Sequence, residues 1–301
     1  MSKISIGIIG SGVFGRYHGL KCKSHPEVNL VGFVTSDKAQ AVKLCKEVGG
    51  RVFNTTKELA KACDAIIIAC PAVYHFEHAK TALMNNCHVL IEKPMVTNVD
   101  EGLTLIELAK NRGKIIQAGH QERYVVRAIG LDRISEKPIR IAARRMGPYS
   151  VRGTDASVTL DLMTHDLDLV LWLLGEKPHA VSGDTLSVRS ETPDVALAFL
   201  SFPNTEVRLE ASRVEDAGER IMTLTYPSGQ VRIDFNAKTL GNSTPFEFNS
   251  DFSEHPEAKD SLAAGLNEFV GSIQAGRSPW ISGQDGLAAV KIALEIDGGR
   301  V

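Results

Sequence analysis

The chain is predicted to be an α/β protein in two parts: a doubly wound parallel sheet, then a second α/β domain whose sheet is largely antiparallel. Three observations carry this reading. Over residues 1–120 short apolar runs alternate with helical patterns, the rhythm of a parallel sheet covered on both faces. After Gly119 the rhythm changes to strands in series joined by tight turns. The length of 301 residues suffices for two cores of ordinary size.

Taken in order, Ile4–Ile9 reads as a strand, 15–24 as a helix opened by a glycine loop, 29–34 as a second strand and 39–48 as a helix closed by Gly49-Gly50. A short helix at 57–62 precedes 64–70, a continuous apolar run of the kind a fully covered strand requires. Helix 77–85, strand 88–92, helix Val99–Asn111 with Asp100 in its first turn, and strand 114–118 complete a five-stranded sheet. In the second domain, 121–301, residues 122–135 read as a helix, 139–146 as a strand and 160–174 as an apolar helix stopped by Gly175. Strands follow at 180–188, 195–202, Glu206–Ser212, 221–226 and 230–234, with Pro203-Asn204 and Pro227-Ser228-Gly229 as turns. Residues 236–255 carry few apolar side chains and read as a surface loop. Helices at Ser261–Ala275 and 286–296 close the chain and are able to pack back on the first domain.

Composition narrows the function classes. With 43% hydrophobic and 23% charged residues the chain is globular rather than disordered. A formal net charge of −2 leaves no basic excess to neutralise phosphates, so no nucleic-acid partner is expected. No apolar run approaches the length of a membrane span. The apolar start is too short for a signal peptide, and the five cysteines form no Cys-x-x-Cys pair, so a cytoplasmic protein with free thiols is expected. His75 and His78 fall one helical turn apart with no third ligand in a local motif, so no metal is expected.

Glu92-Lys93-Pro94 ends the apolar run 87–91 and places a carboxylate and a cation where a buried strand runs out, the edge at which open α/β sheets bind ligands. Proline disfavours the helical conformation for the residue before it, which keeps Lys93 extended. Gly10-Ser11-Gly12-Val13-Phe14-Gly15 follows a strand and opens a helix. Its glycines permit a tight turn, close approach of backbone to a pyrophosphate, and close helix packing, with the helix N-terminus facing the anion. A dinucleotide, NAD or NADP, is therefore expected against Gly10, Gly12, Val13, Phe14 and Gly15, with Lys93 beside the reacting ring. Thr35 and Ser36 stand where an acidic residue would hold the ribose of NAD; together with Lys38 they lean towards NADP, while Asp37 is near enough to serve the ribose. Cys70, Pro71 and His75 form a turn at the same sheet edge and, with Glu92, complete the expected cofactor set.

The second constellation is Asp161-Leu-Met-Thr-His165-Asp-Leu-Asp168. A spacing of four stacks Asp161 and His165 on one helix face. A carboxylate beside an imidazole orients the ring and stabilises its charged form, which a general base for an alcohol needs. Asp168 reads as structural. Arg144, Arg145, Tyr149 and Arg152 join a strand to that helix, and Gln121, Arg123 and Tyr124 open the second domain. Of these, Gln121, Arg123, Tyr124, Arg145, Tyr149 and Arg152 are candidates to hold substrate phosphates or hydroxyls, together with Lys93, Asp161 and His165.

These motifs together resemble the Gfo/Idh/MocA oxidoreductases over essentially the whole chain: the glycine loop, Pro71 to His75, Glu92-Lys93-Pro94, Asp161-x-x-x-His165 and the helix start Ser282-Gly-Gln-Asp285-Gly286. The resemblance implies an N-terminal Rossmann domain, a C-terminal α/β domain with an open sheet, and hydride exchange between NAD(P) and a sugar or polyol. It matches Lys93 and His165 to the catalytic lysine and histidine, and Asp161 to the aspartate beside them. Arg145-x-Gly-Pro-Tyr149, Arg152, Asp155 and Gly119-His-Gln-x-Arg123 resemble the branch that oxidises UDP-N-acetylglucosamine at C3. The Tyr-Val-Val after Arg123, where many relatives have Asn-Pro, and Thr35 in place of an acid depart from the pattern. The expected protein is an NAD(P)-dependent sugar or nucleotide-sugar dehydrogenase, paired into homodimers or homotetramers because an exposed sheet face is costly in water. The alternatives are a non-catalytic NAD(P)-binding regulator and a keto-sugar, biliverdin or diketone reductase; the trio Lys93, Asp161 and His165 weighs against the regulator.

Overall fold

The computed structural model describes residues 3–151 and 153–298. The chain divides into two units, Met1–His120 with Leu262–Leu287, and Gln121–Ser261 with Ala288–Val301.

In the first unit, β1 (Ile4–Ile9), β2 (Val28–Val34), β3 (Arg51–Val52), β4 (Ala65–Ile68), β5 (His88–Ile91) and β6 (Ile116–Ala118) form one parallel sheet in the order β3-β2-β1-β4-β5-β6. Helices α1 (Val13–Ser24), α2 (Lys38–Val48), α3 (Thr56–Ala60), α4 (His75–Met84) and α5 (Val99–Asn111) make the crossovers. Ile6, Ile8, Ile66, Ile67, Ile68, Val89 and Ile91 are fully buried, which is why these strands read as unbroken apolar runs. The sheet has six strands rather than the expected five. The extra one, β3, is two residues held by the register Gly32↔Arg51 and Phe33↔Val52, too short to show a strand pattern. Leu266, Phe269 and Val270 join Ile4, Ile6, Val28 and Phe33 in one buried cluster, which returns 262–287 to this unit. The order of the strands reverses between β1 and β4, the place where sheets of this kind take their ligands.

In the second unit, α6 (Glu122–Ile129) precedes β7 (Arg140–Met146), and α7 (Thr164–Leu174) precedes β8 (Ala180–Leu186), β9 (Val195–Ser201), β10 (Glu206–Ser212), β11 (Glu219–Tyr226), β12 (Gly229–Asp234) and β13 (Thr239–Asn242). The sheet order is β13-β12-β11-β7-β10-β9-β8; β7 and β10 run parallel and the other neighbours antiparallel. Burial alternates along these strands: Ile141, Ala143, Leu200, Leu209, Met222 and Leu224 are buried, while Arg144, Phe199 and Arg208 on the other face are exposed.

Three expectations are corrected here. The helix expected at 122–135 stops at Ile129 because Gly130 takes the left-handed conformation, φ +93°, and a 3-10 turn at Leu131–Arg133 follows. The loop expected at 236–255 contains β13, paired to β12 through Ile233↔Leu240, and a fully buried Phe252. The helix expected at 160–174 opens with a π turn, Thr159–Met163, before becoming α-helical. No helix of the described residues is long and apolar enough to cross a membrane.

Candidate active site

β1, β4 and β5 lie side by side, so the loops leaving their carboxyl ends share one edge of the first unit. After β1, Gly10 has φ +104°, and a Cβ added there would lie 2.5 Å from the Ala69 carbonyl oxygen. Gly15 is closed off in the same way by the Gly10 carbonyl. Gly12 differs: nothing lies within 4 Å of its would-be Cβ, so bare backbone faces open space at the start of α1. That helix start has no side-chain cap and no acidic residue in its first turn. Its N–H groups and positive end therefore suit an anion. Val13 and Phe14 stand exposed beside it. These features fit the pyrophosphate of a dinucleotide.

At the end of β2, the Ser11 hydroxyl donates to Thr35 Oγ1 at 3.0 Å, which ties Thr35 to the glycine loop. Asp37 caps α2, accepting from the Gln40 N–H at 2.9 Å, and Lys38 donates to Asn54 at 3.0 Å. Ser36 is exposed.

After β4 and β5 come the turns at Cys70-Pro71 and Glu92-Lys93-Pro94. His75, expected at the cofactor, is instead buried, with Nδ1 2.8 Å from the Pro94 oxygen and Nε2 2.9 Å from the Cys70 oxygen. It braces the two turns from behind. Glu92 is also buried, 2.7 Å from His18 Nε2, and its carboxylate fits because Gly119 has no side chain; a Cβ there would lie 3.0 Å from Oε2. Burial works against the Glu92 charge, but the His18 hydrogen bond and the charges of His18, Lys93 and His75 outweigh it and hold its pKa below the ordinary glutamate value. Lys93 follows, half-buried.

In the second unit, Asp161 lies in the π turn and His165 in the first turn of α7. The turn is anchored by Asp297, which accepts the Ser157 and Thr159 hydroxyls, both at 2.6 Å. The Asp161 carboxylate lies against Gly153, φ +81°, where a Cβ would stand 2.6 Å from Oδ2. His165 Nδ1 is 4.0 Å from Glu122 Oε1.

Three of the expected substrate residues face inward. Arg145 is 2% exposed and donates to Asp166 at 2.8 Å twice and to Glu122 at 2.8 and 2.6 Å. Burial alone would discourage its charge, but these two carboxylates raise its pKa above the ordinary arginine value. Arg123 pairs bidentately with Asp168, 2.8 and 2.6 Å, and its guanidinium lies 5.6 Å from the Trp172 ring centre. Tyr124 is fully buried. A guanidinium turned into a unit must find its carboxylates there. Glu122 and Asp166, which the sequence reading did not single out, are those carboxylates. Their signal was the register of β7, in which Ile141, Ala143 and Arg145 share the inward face. Gln121 is half-buried, its Oε1 accepting from Ser261 at 3.5 Å, and Tyr149 lies under the Arg189 guanidinium, 4.2 Å from the ring centre. Arg152 lies outside the described residues.

Residues 4–120 match the family model for the GFO/IDH/MocA oxidoreductase family, NAD-binding Rossmann fold, and residues 139–234 match the GFO/IDH/MocA C-terminal domain. The chain is 29% identical to a UDP-N-acetylglucosamine 3-dehydrogenase of Acidithiobacillus ferrooxidans over 98% of this chain and 97% of that protein. A solved structure of that enzyme aligns with a TM-score of 0.87 at 30% identity, covering 98% of this chain and 97% of the other. An inositol 2-dehydrogenase of Azotobacter vinelandii is 25% identical over 96% of this chain and 91% of its own length.

Proposed function

Because this chain belongs to the Gfo/Idh/MocA family of NAD(P)-binding oxidoreductases, we propose that it oxidises a secondary hydroxyl of a nucleotide-sugar, with UDP-N-acetylglucosamine at C3 as the first candidate. The observation that carries the reading is the open Gly12 backbone at the uncapped start of α1, on the same sheet edge as Lys93. NAD or NADP, when bound there, supplies the hydride acceptor. Lys93 brings an ammonium group to the substrate oxygen and polarises it as the carbonyl forms. His165 takes the hydroxyl proton on its imidazole, Asp161 orients that ring, and the Glu122 carboxylate 4.0 Å from Nδ1 favours the imidazolium once formed. Gln121, Tyr149 and Arg152 hold the sugar or its phosphates, while Arg123, Tyr124 and Arg145 hold the scaffold.

The same reading places the enzyme in the reducing cytoplasm, with its five cysteines as thiols, and as a homodimer or homotetramer. Support for pairing comes from the open face of the second sheet. Phe199, Leu197 and Ile221 lie there among the ion pairs Arg144–Glu210, 3.6 Å, and Arg208–Glu210, 2.9 Å. Sedimentation of the purified protein tests it, a monomer at all concentrations being the contrary result.

The activity is tested by following nicotinamide reduction with UDP-sugars, free sugars and inositols, each with NAD and with NADP. Turnover with UDP-N-acetylglucosamine is expected. Turnover with free polyols alone would remove the nucleotide from the substrate. Silence across the panel, with cofactor binding confirmed by titration, would replace the dehydrogenase by a regulator or a reductase.

A further inference from the structure

His75 holds both ring nitrogens against atoms that can only accept. Nδ1 lies 2.8 Å from the Pro94 oxygen and Nε2 2.9 Å from the Cys70 oxygen, in a side chain 1% exposed. A neutral imidazole has one N–H and one lone pair. In either tautomer, one nitrogen lone pair would face a carbonyl lone pair at hydrogen-bond distance, in a buried place where such a mismatch is expensive. With a proton on each nitrogen, both contacts become hydrogen bonds, and charge-assisted ones.

We propose that His75 is an imidazolium throughout the folded state and serves as a positioning residue, fixing the turn that carries Lys93 to the turn at Cys70. The inference rests on the proposed role of Lys93. Lys93 is bracketed: on one side the Glu92 N–H donates to the Ile68 oxygen at 2.9 Å, and on the other the Pro94 carbonyl is held by the His75 ring. Loss of the second tie frees one side of Lys93.

A buried cation requires a nearby anion. Among the described residues, Glu92 at the end of β5 and His78 on α4 feel the His75 charge; Lys93 and His18 of α1 act on Glu92 in turn, and Glu77 on His78 and on Glu101 of α5. Glu92 is the buried anion of this set. His78 lies 2.8 Å from the Thr56 hydroxyl, and its pKa is lowered by burial first and by the His75 charge second.

Nitrogen-15 spectra of the full-length unaltered protein, with His75 assigned through bonds to its own side chain, decide the protonation state. Two protonated ring nitrogens are expected even well above the ordinary imidazole pKa of about 6.5. A lone-pair nitrogen at neutral pH would overturn the proposal. His75→Gln keeps one donor and removes the charge. It should lower kcat roughly 10²-fold, with the Kd for NAD(P) and the KM for the sugar nearly unchanged. An unchanged kcat would refute the positioning role. The spectra need neither turnover nor a folded variant, so inactivity of the unaltered protein would count against the substrate reading alone.

Discussion

Of the three glycines of the first loop, Gly10 and Gly15 have no room for a methyl group and Gly12 has, and this separates folding from binding at single positions. At Gly10 a Cβ meets backbone 2.5 Å away at φ +104°, so Gly10→Ala should lower the melting temperature. At Gly12 the Cβ meets nothing within 4 Å and the backbone has φ −68°, so Gly12→Ala should stay within about 0.5 kcal/mol of the parent in denaturant melts. Titration with NAD(P) should show it binding the cofactor markedly more weakly; equal affinity would move the pyrophosphate elsewhere. Lys93→Ala gives the complementary result: cofactor affinity kept and turnover lost, with retained turnover excluding Lys93 from the reaction. The tight backbone of Gly10 and Gly15 was legible because glycine spacing is written in a short motif. Arg145 and Arg123 were not, since each meets carboxylates set by the register of β7 and by α7, as with Asp166 and Asp168.

Among the elements, the segment ahead of the π turn depends on a distant pair. Asp194 is fully buried and accepts the N–H groups of Val188, Arg189 and Ser190 at 2.9, 2.6 and 2.8 Å, and Arg213 at 2.8 Å. Arg213 in turn donates to the carbonyls of Gly153, 2.8 Å, and Ala156, 2.9 Å, which fixes the turn against which Asp161 rests. Burial opposes the Asp194 charge, but the hydrogen bonds from Arg189, Arg213, Ser190 and Val188 outweigh it and depress its pKa. A depressed carboxylate pKa stabilises the fold fully above the unfolded value of about 3.9 and loses that contribution as pH falls below it. Asp194→Asn should therefore cost about 3 kcal/mol at neutral pH, and its urea midpoint should fall less than the parent's on acidification below that value. Parallel falls would assign the acid sensitivity to other groups. The long strands were legible from their period of two. β3, β13 and the stop of α6 were not, because two or four residues show no period and the stop depends on one left-handed glycine.

At the level of the whole molecule, the parallel sheet followed from alternating strands and helices, and the closing helices read as able to pack back on the first unit, but nothing local says that 262–287 does so while 288–301 stays with the second. A helix whose apolar stripe carries Leu266, Phe269 and Val270 reads the same whichever core receives it. Phe269→Ala should cost about 3–5 kcal/mol and lower the melting transition that NAD(P) raises. Binding to the folded state alone should add about 2.7 kcal/mol at a hundredfold excess over Kd. A cofactor-insensitive transition for the Phe269 variant would place that side chain outside the nucleotide-binding unit.

That late return also bears on synthesis. Domains commonly fold as they leave the ribosome, the N-terminal one first. Here the opening strands emerge early, yet the cluster around Ile4, Ile6 and Val28 is completed by Leu266, Phe269 and Val270, more than 170 residues further along. The nucleotide-binding unit, begun at residues 4–120, is complete only once 262–287 has been made. In the interval the apolar surface that Leu266, Phe269 and Val270 later cover is a target for chaperones, and a chain stopped before them would carry the glycine loop on an unfinished core.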